Sequence, residues 1–180
     1  MKSLVAPVIL LICTINTGSF AAVPVVAIPP EAQAALLESG DPQLAANKRL
    51  AYDMYRHGLA GHVDELASFF SRDVLNHNPN EETGLEGLLD YLRTYLKRVG
   101  IHEPQPVKET IDGLISIVAE RDMVTLAFVV EYDHPTLPGK KYTSTWFDMV
   151  RIKDGLIVEH WDSARITNAA IQFKNSDGEE

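Results

Sequence analysis

The sequence predicts an α+β domain in which N-terminal helices are followed by a curved antiparallel sheet. Apolar residues recur at helical spacing up to Gly100, whereas the chain after Pro106 consists of long runs rich in β-branched and aromatic residues. Short turn signals separate these runs, so neighbouring strands should pair antiparallel. A sheet of this kind twists strongly and can wrap around a helix.

Three helices are predicted before the sheet. The first begins at Asp41-Pro42, an N-cap followed by proline at the first helical position, and ends near Gly61. A short second helix is expected over residues 63–70. The third begins at a capping box formed by Thr83 and Glu86, ahead of a stripe of leucines.

Four strands are predicted after the helices. The pair Asp154-Gly155 between the last two strands is the strongest hairpin signal in the chain. The expected strands are Val107 to Ala119, Met123 to Asp133, Lys141 to Lys153 and Leu156 to Ile166.

The two ends of the chain differ in composition from this domain. An apolar run from Leu4 to Ile15 is shorter than the roughly 20 residues that span a bilayer, and small residues follow it up to Ala21. We therefore expect a signal peptide at 1–21, export to the periplasm or medium, and no stable membrane anchor. The remaining divisions are a leader or linker at 22–42, the domain at 43–168 and an acidic tail at 169–180.

Charge and cysteine content exclude several classes of function. The formal net charge of −9 and the lack of a basic run argue against a nucleic-acid partner. Cys13 is the only cysteine and lies in the predicted signal peptide, so the mature chain should have no disulfide, cysteine nucleophile or thiolate metal site.

The last strand carries the most informative candidate site. Strict alternation would place His160 and Asp162 on one face with Leu156 and Val158, so that an apolar surface ends in an imidazole and a carboxylate. Asp148 on the preceding strand should lie across from them and could orient His160; an ion pair with a surface cation is an equally good alternative.

A second polar cluster, His77-Asn78, precedes Pro79 far upstream. If the fold brings it to His160 and Asp162, one pocket holds a base, its orienting partner and donors for an enolate oxygen. Two alternatives remain open: a structural turn at Asn78, and a metal site made of His77, His160 and Asp162.

Several segments together resemble the SnoaL-like polyketide cyclase family, within the nuclear transport factor 2-like superfamily. The resemblance covers about 44–166 and implies a cone-shaped, cystatin-like α+β barrel around an apolar cavity, and a homodimer formed through the sheet. The segments that carry it are His77 to Pro79, Gly84 to Gly87, Phe147 to Ile152 and Asp154 to Asp162.

The resemblance also implies a type of chemistry. Cyclases of this family perform an intramolecular aldol condensation without a cofactor, with an aspartate as acid and base. Asp162 is the first choice for this aspartate and Asp148 the second, with His160, His77 and Asn78 as its neighbours. The expected ligand is a small apolar carbonyl compound, with no cofactor and no metal. The alternative is a non-catalytic module of the same fold that binds a hydrophobic ligand or supports a dimer.

Overall fold

The computed structural model describes residues 26–164, so the predicted signal peptide at 1–21 and the acidic tail at 169–180 lie outside the described residues. In the part that is described, no helix is both long enough and apolar enough to cross a membrane. The helices are α1 (Pro30–Leu36), α2 (Pro42–Leu59), α3 (Val63–Leu66) and α4 (Leu85–Arg98). The strands are β1 (Phe70–Asn76), β2 (Leu114–Glu120), β3 (Met123–Asp133), β4 (Lys141–Lys153) and β5 (Leu156–Asp162).

The five strands form one curved, mixed sheet in the order β1-β5-β4-β3-β2. Strands β2 to β5 pair antiparallel in sequence order, which confirms the predicted meander. The fifth strand, β1, pairs in parallel with β5 at the edge of the sheet. The α+β class predicted from the sequence is therefore confirmed, with one more strand than the four expected.

The core lies between the inner face of the sheet and helices α2 and α4. Leu126, Val150 and Ile157 on three adjacent strands are fully buried there. Ala51 on α2 and Leu88 on α4 cover them from the helical side. Burying one large aliphatic side chain of this kind contributes roughly 1.5–3 kcal/mol, so this layer provides the rigid base for the polar residues at its end.

A β-bulge divides β5 into two halves. Arg151 pairs with Glu159, but the next residue of β4, Ile152, pairs with Ile157, which leaves Val158 as the extra residue. The bulge turns Ile157 into the core and leaves Leu156 exposed. The prediction that Leu156 shares the inner face with His160 is therefore wrong, because strict alternation assumes a strand without a bulge.

Four predicted element boundaries also change. Strand β5, expected to reach Ile166, ends at Asp162. Helix α3 ends at Leu66, because residues from Phe70 onward enter β1. Strand β2 begins only at Leu114, directly after Gly113, whose φ of +78° is a left-handed conformation and whose carbonyl accepts a hydrogen bond from the Val129 amide. Helix α4 is capped by Gly84 and not by the predicted capping box.

Thr83 has a different role from the predicted cap. Its hydroxyl donates a 3.2 Å hydrogen bond to the carbonyl of Val74, and the amide of Gly84 donates to the same carbonyl at 2.7 Å. These two contacts tie the start of α4 to β1. They close the loop at residues 77–84, which carries the second polar cluster.

Helix α1 falls within the predicted leader but packs against the domain. Gln33 is buried, and its side chain donates to the carbonyl of Ile111 at 2.8 Å and accepts from the Ile111 amide at 2.9 Å. The hydroxyl of Tyr52 donates to the same side-chain oxygen at 2.7 Å. A buried amide with all of these partners fixes α1 to the folded unit.

Candidate functional site

A buried histidine–aspartate pair lies at the polar end of the core. Nε2 of His160 and Oδ1 of Asp148 are 3.0 Å apart, and both residues are buried. Asp148 lies opposite Asp162 in the β4–β5 pairing, and Val150 lies opposite His160. Because Asp148 is the acceptor, the proton of the neutral imidazole belongs on Nε2, which leaves Nδ1 as its acceptor nitrogen.

Asp162 is joined to the upstream cluster by an amide. Nδ2 of Asn78 donates to Oδ2 of Asp162 at 2.7 Å, and Asn78 is itself buried. The other carboxylate oxygen, Oδ1, accepts from the backbone amide of Ala164 at 2.9 Å. The fold thus brings Asn78, Asp148, His160 and Asp162 together, and both oxygens of Asp162 have a donor.

The same amide also reaches a carboxyl group that the sequence analysis missed. Nδ2 of Asn78 donates to Oε1 of Glu81 at 3.1 Å. The residues between them form a turn, in which the Glu81 amide donates to the Asn78 carbonyl at 3.1 Å and the Asn80 amide donates to Oδ1 of Asn78 at 2.9 Å. The available signal was the sequence Asn-Pro-Asn-Glu, because such a turn places its fourth residue back beside its first.

Burial changes the proton affinities of this cluster. It is the largest reason that the pKa of Glu81 is raised from 4.5 to about 7; within this net shift, the charge of His160 lowers the pKa, whereas the Asp162 and Asp148 carboxylates raise it. Burial is also the main reason that the pKa of Asp162 is raised. Burial alone would lower the pKa of His160, but its hydrogen bond to Asp148 and the surrounding negative charges raise it overall.

Two tyrosines border the cluster from the helices. The pKa of Tyr55, on α2, is raised well above its ordinary value by burial, then by the charge and hydrogen bond of Asp148. The pKa of Tyr91, on α4, is raised by burial and by the Glu81 carboxylate, although its hydrogen bond to Asn78 opposes the shift. Both hydroxyl groups therefore stay protonated and can act only as neutral hydrogen-bonding groups.

His77 is not part of this cluster, which corrects the expectation that it joins Asn78 in one pocket. Its Nε2 lies 2.8 Å from Oε1 of Glu159, and its ring stacks on Trp161 with a centroid distance of 4.7 Å. These residues lie on the outer face of the sheet. The chain stays extended through His77, whose amide donates to the His160 carbonyl, so adjacent side chains point to opposite faces.

Two buried polar atoms of the cluster have no hydrogen-bond partner among residues 26–164. They are Oε2 of Glu81 and Nδ1 of His160. Buried polar atoms are usually paired, so each of these two can receive a ligand group. The cluster could also hold a cation, because Asp148, His160 and Asp162 each offer a ligand atom within 4.8 Å of the others. The metal site considered from the sequence used His77, which lies on the other face.

Comparison with known proteins gives a consistent family and fold. The family model of the SnoaL-like domain matches residues 51–160. No curated protein matches the sequence. Among solved structures, a designed protein with a curved β-sheet has a TM-score of 0.51 and 16% identity, and the alignment covers 73% of this chain and 96% of that chain.

Two natural proteins are similar at a lower level. A candidate SnoaL-like polyketide cyclase from Shewanella putrefaciens CN-32 has a TM-score of 0.48 and 14% identity, with 87% of this chain and 99% of that chain covered. AclR, a candidate hydroxylase from Streptomyces galilaeus, has a TM-score of 0.48 and 20% identity, with coverages of 73% and 97%. The family match spans more than half of the sequence, and this chain therefore belongs to the SnoaL-like family of the nuclear transport factor 2-like superfamily.

Proposed function

We propose that this SnoaL-like domain is a cofactor-independent acid/base enzyme that moves a proton next to the carbonyl group of a small apolar compound. The observation that carries this proposal is the half-buried Asp162 carboxylate, held by Asn78 beside the buried His160–Asp148 pair. The fold and the family support a small-molecule enzyme or binder, and the polar cluster supplies the reason for preferring an enzyme.

Asp162 is the proposed base, as its placement on β5 suggested. Burial raises its pKa, so its carboxylate is a stronger base than an exposed one. The hydrogen bonds from Asn78 and Ala164 limit this rise, which keeps the group ionised and fixed in position. A positioned general base of this kind typically contributes 10²–10⁴-fold to a rate.

His160 is the proposed partner for the developing oxygen charge. Its Nε2 is occupied by Asp148, while Nδ1 has no partner in the described part of the chain. The pKa of His160 is raised, so the imidazolium form, with a proton on Nδ1, becomes more populated near neutral pH. A charged donor at this position can stabilise an enolate oxygen, and Asp148 holds the ring in place for it.

The exchange of α-hydrogens with solvent tests the proposal without a known natural substrate. We expect the protein to accelerate deuterium incorporation into the small ketone 2-tetralone in D2O, measured by NMR. Asp162→Asn should lose about 10²–10⁴-fold of that acceleration. Asp73→Asn, on an exposed position of β1, is the matched control and should retain it. Equal rates for wild type and Asp162→Asn would contradict the assigned base.

The alternative function is a module that binds a hydrophobic ligand without catalysis. It keeps the fold but needs no proton transfer. Saturable binding of the ketone with no exchange above the buffer rate, together with an Asp162 pKa near its ordinary value, would favour this alternative.

We also propose that the protein is a homodimer formed through the outer face of the sheet. Val118 and Phe147 on this face are 60% and 52% exposed. Large exposed apolar side chains on one face are typical of protein interfaces. Native mass spectrometry should show a dimer, and Phe147→Glu should shift it to a monomer; a monomeric wild type would contradict this proposal.

Export remains a proposal that rests on the sequence of residues 1–21. We expect the mature protein, recovered from the periplasm or the medium, to begin just after Ala21. N-terminal sequencing measures this directly, and a chain that retains Met1 would contradict it.

A further inference from the structure

Glu81 is a half-buried titratable group, with a buried Oε2 atom, that the proposed function does not use. It lies in the loop at 77–84, within the turn that begins at Asn78 and is closed by the hydrogen bond from its own amide. The turn therefore holds the backbone of Glu81 beside Asn78. The turn fixes its carboxyl group on the same amide that holds Asp162.

The side-chain amide of Asn78 joins the two carboxyl groups, and its hydrogen bonds fix which end is Nδ2 and which is Oδ1. Its Nδ2 donates to Oε1 of Glu81 and to Oδ2 of Asp162. Its Oδ1 accepts from the backbone amide and the side-chain amide of Asn80, at 2.9 and 3.0 Å. A flipped amide would face two carboxyl groups with an acceptor, so this orientation is the stable one.

The two carboxyl groups differ in how many donors they have. Both oxygens of Asp162 accept a hydrogen bond, which favours its ionised form. Only Oε1 of Glu81 does so, because Oε2 is buried and has no partner among residues 26–164. A proton on Glu81 therefore belongs on Oε2, and that O–H group can donate to a ligand.

The proton affinities agree with this difference in contacts. The pKa of Glu81 is raised to about 7, chiefly by burial, so about half of the molecules carry this proton at neutral pH. When the pKa values of two neighbouring carboxyl groups differ in this way, the group with the higher pKa is suited to act as the acid and the other as the base.

We propose that Glu81 is the catalytic acid of this site, and that its Oε2–H protonates the substrate carbonyl oxygen while Asp162 removes the α-hydrogen. The inference deepens the proposed function and rests on it. Asp162 takes the proton of the C–H bond, the electron pair of that bond forms the C=C bond, and the carbonyl π electrons form a new O–H bond with the Glu81 proton. One proton enters the protein and one leaves it, so the charge of the site does not change.

The arrangement also specifies the charge of the substrate. Glu81, Asp148 and Asp162 place three carboxyl groups around one histidine, His160. A substrate carboxylate or phosphate would add a further negative charge to this buried cluster, which is strongly unfavourable. This charge balance favours neutral, enolisable ketones and aldehydes over keto acids as substrates.

The pH dependence of α-hydrogen exchange into 2-tetralone tests this role. We expect wild-type exchange to fall about tenfold per pH unit above pH 7, because Glu81 loses the proton that it must donate. Glu81→Gln should lower the rate at pH 6 by about 10²-fold and make the fall above pH 7 less steep, because an amide cannot lose a proton in this range and only the imidazolium of His160 still does. Glu82→Gln, at the exposed neighbouring position, is the control and should match wild type.

The outcomes separate this inference from the proposed function. If Asp162→Asn abolishes exchange while Glu81→Gln keeps both the rate and the fall above pH 7, Glu81 is not the acid but the proposed function stands. If wild type gives no exchange above the buffer rate, the proposed function fails, and the acid role of Glu81 fails with it.

A measurement on the wild-type chain covers the case in which Glu81→Gln does not fold. We expect the side-chain carboxyl carbon of Glu81 to titrate near pH 7 in ¹³C NMR. A Glu81 titration near pH 4.5 would overturn the assignment.

Discussion

Replacing Glu81 with glutamine should make the folded protein more stable at alkaline pH, although the substitution adds no apolar contact. Burial is the main reason that the pKa of Glu81 rises from 4.5 to about 7, a difference of about 2.5 pKa units. Each unit corresponds to about 1.36 kcal/mol of preference for the protonated form. Keeping the ionised side chain in the cluster therefore costs about 3 kcal/mol relative to the unfolded chain.

The sign of the effect follows from the direction of this shift. Because the pKa is higher in the folded state, the folded protein holds the Glu81 proton more tightly than the unfolded chain does. The resulting stability is fully present below pH 4.5 and is lost as the pH rises through about 7. Glutamine stays neutral throughout, so the Glu81→Gln variant does not lose it.

Urea unfolding at pH 5 and at pH 8 measures the effect. We expect the free energy of unfolding of wild type, relative to Glu81→Gln, to fall by about 2–3 kcal/mol between these two conditions. His160 and Asp162 also titrate abnormally, but both proteins contain them, so their contributions largely cancel. Glu82→Gln should track wild type. A wild-type-to-variant difference that is the same at both pH values, within about 0.5 kcal/mol, would refute the reasoning.

Three further substitutions test separate parts of the structure. Asp148→Asn should lower the pKa of His160, because it removes the nearest negative charge, and NMR titration of the ring protons should show this; an unchanged pKa would mean that the pair is not formed. Gln33→Ala should reduce the free energy of unfolding by about 1–3 kcal/mol, since the buried Ile111 amide and carbonyl each lose their hydrogen bond to the Gln33 side chain. A urea midpoint equal to wild type would argue against a docked α1. His77→Ala should lower the free energy of unfolding by less than about 1 kcal/mol and leave ketone exchange intact, since the partners of His77 are on the outer face. A large loss of exchange would show that His77 takes part in the reaction.

The sheet was largely predictable because its signals are local. Strands β3 and β4 begin and end where the turn signals place them, and Asp154-Gly155 sets the register of the last hairpin. That register brings Asp148 to the same face as His160 and Asp162. Alternation alone was sufficient for this part of the site, since side chains two residues apart in a strand share a face.

The remainder of the site depends on a bulge, an extended segment and a turn, which strand alternation does not predict. The bulge at Val158 reverses the faces of the residues before it, and nothing in the local sequence marks it. His77 was expected to follow Asn78 inward, but the chain stays extended there and separates them. Glu81 joins the cluster only through the turn that starts at Asn78, and this turn predicts a contact only once Asp162 is known to lie beside Asn78.

The unpaired residue in β5 has a consequence for how this protein can diversify. The segment before Val158 anchors the hydrophobic interior through Ile157, and the segment after it presents His160 and Asp162. Because the bulge at Val158 separates the two segments, substitutions in the segment after it leave the packing of the segment before it unchanged. Related proteins with this bulge can therefore change the residues at positions 160 and 162, and with them the chemistry of the site, while the hydrophobic core stays the same.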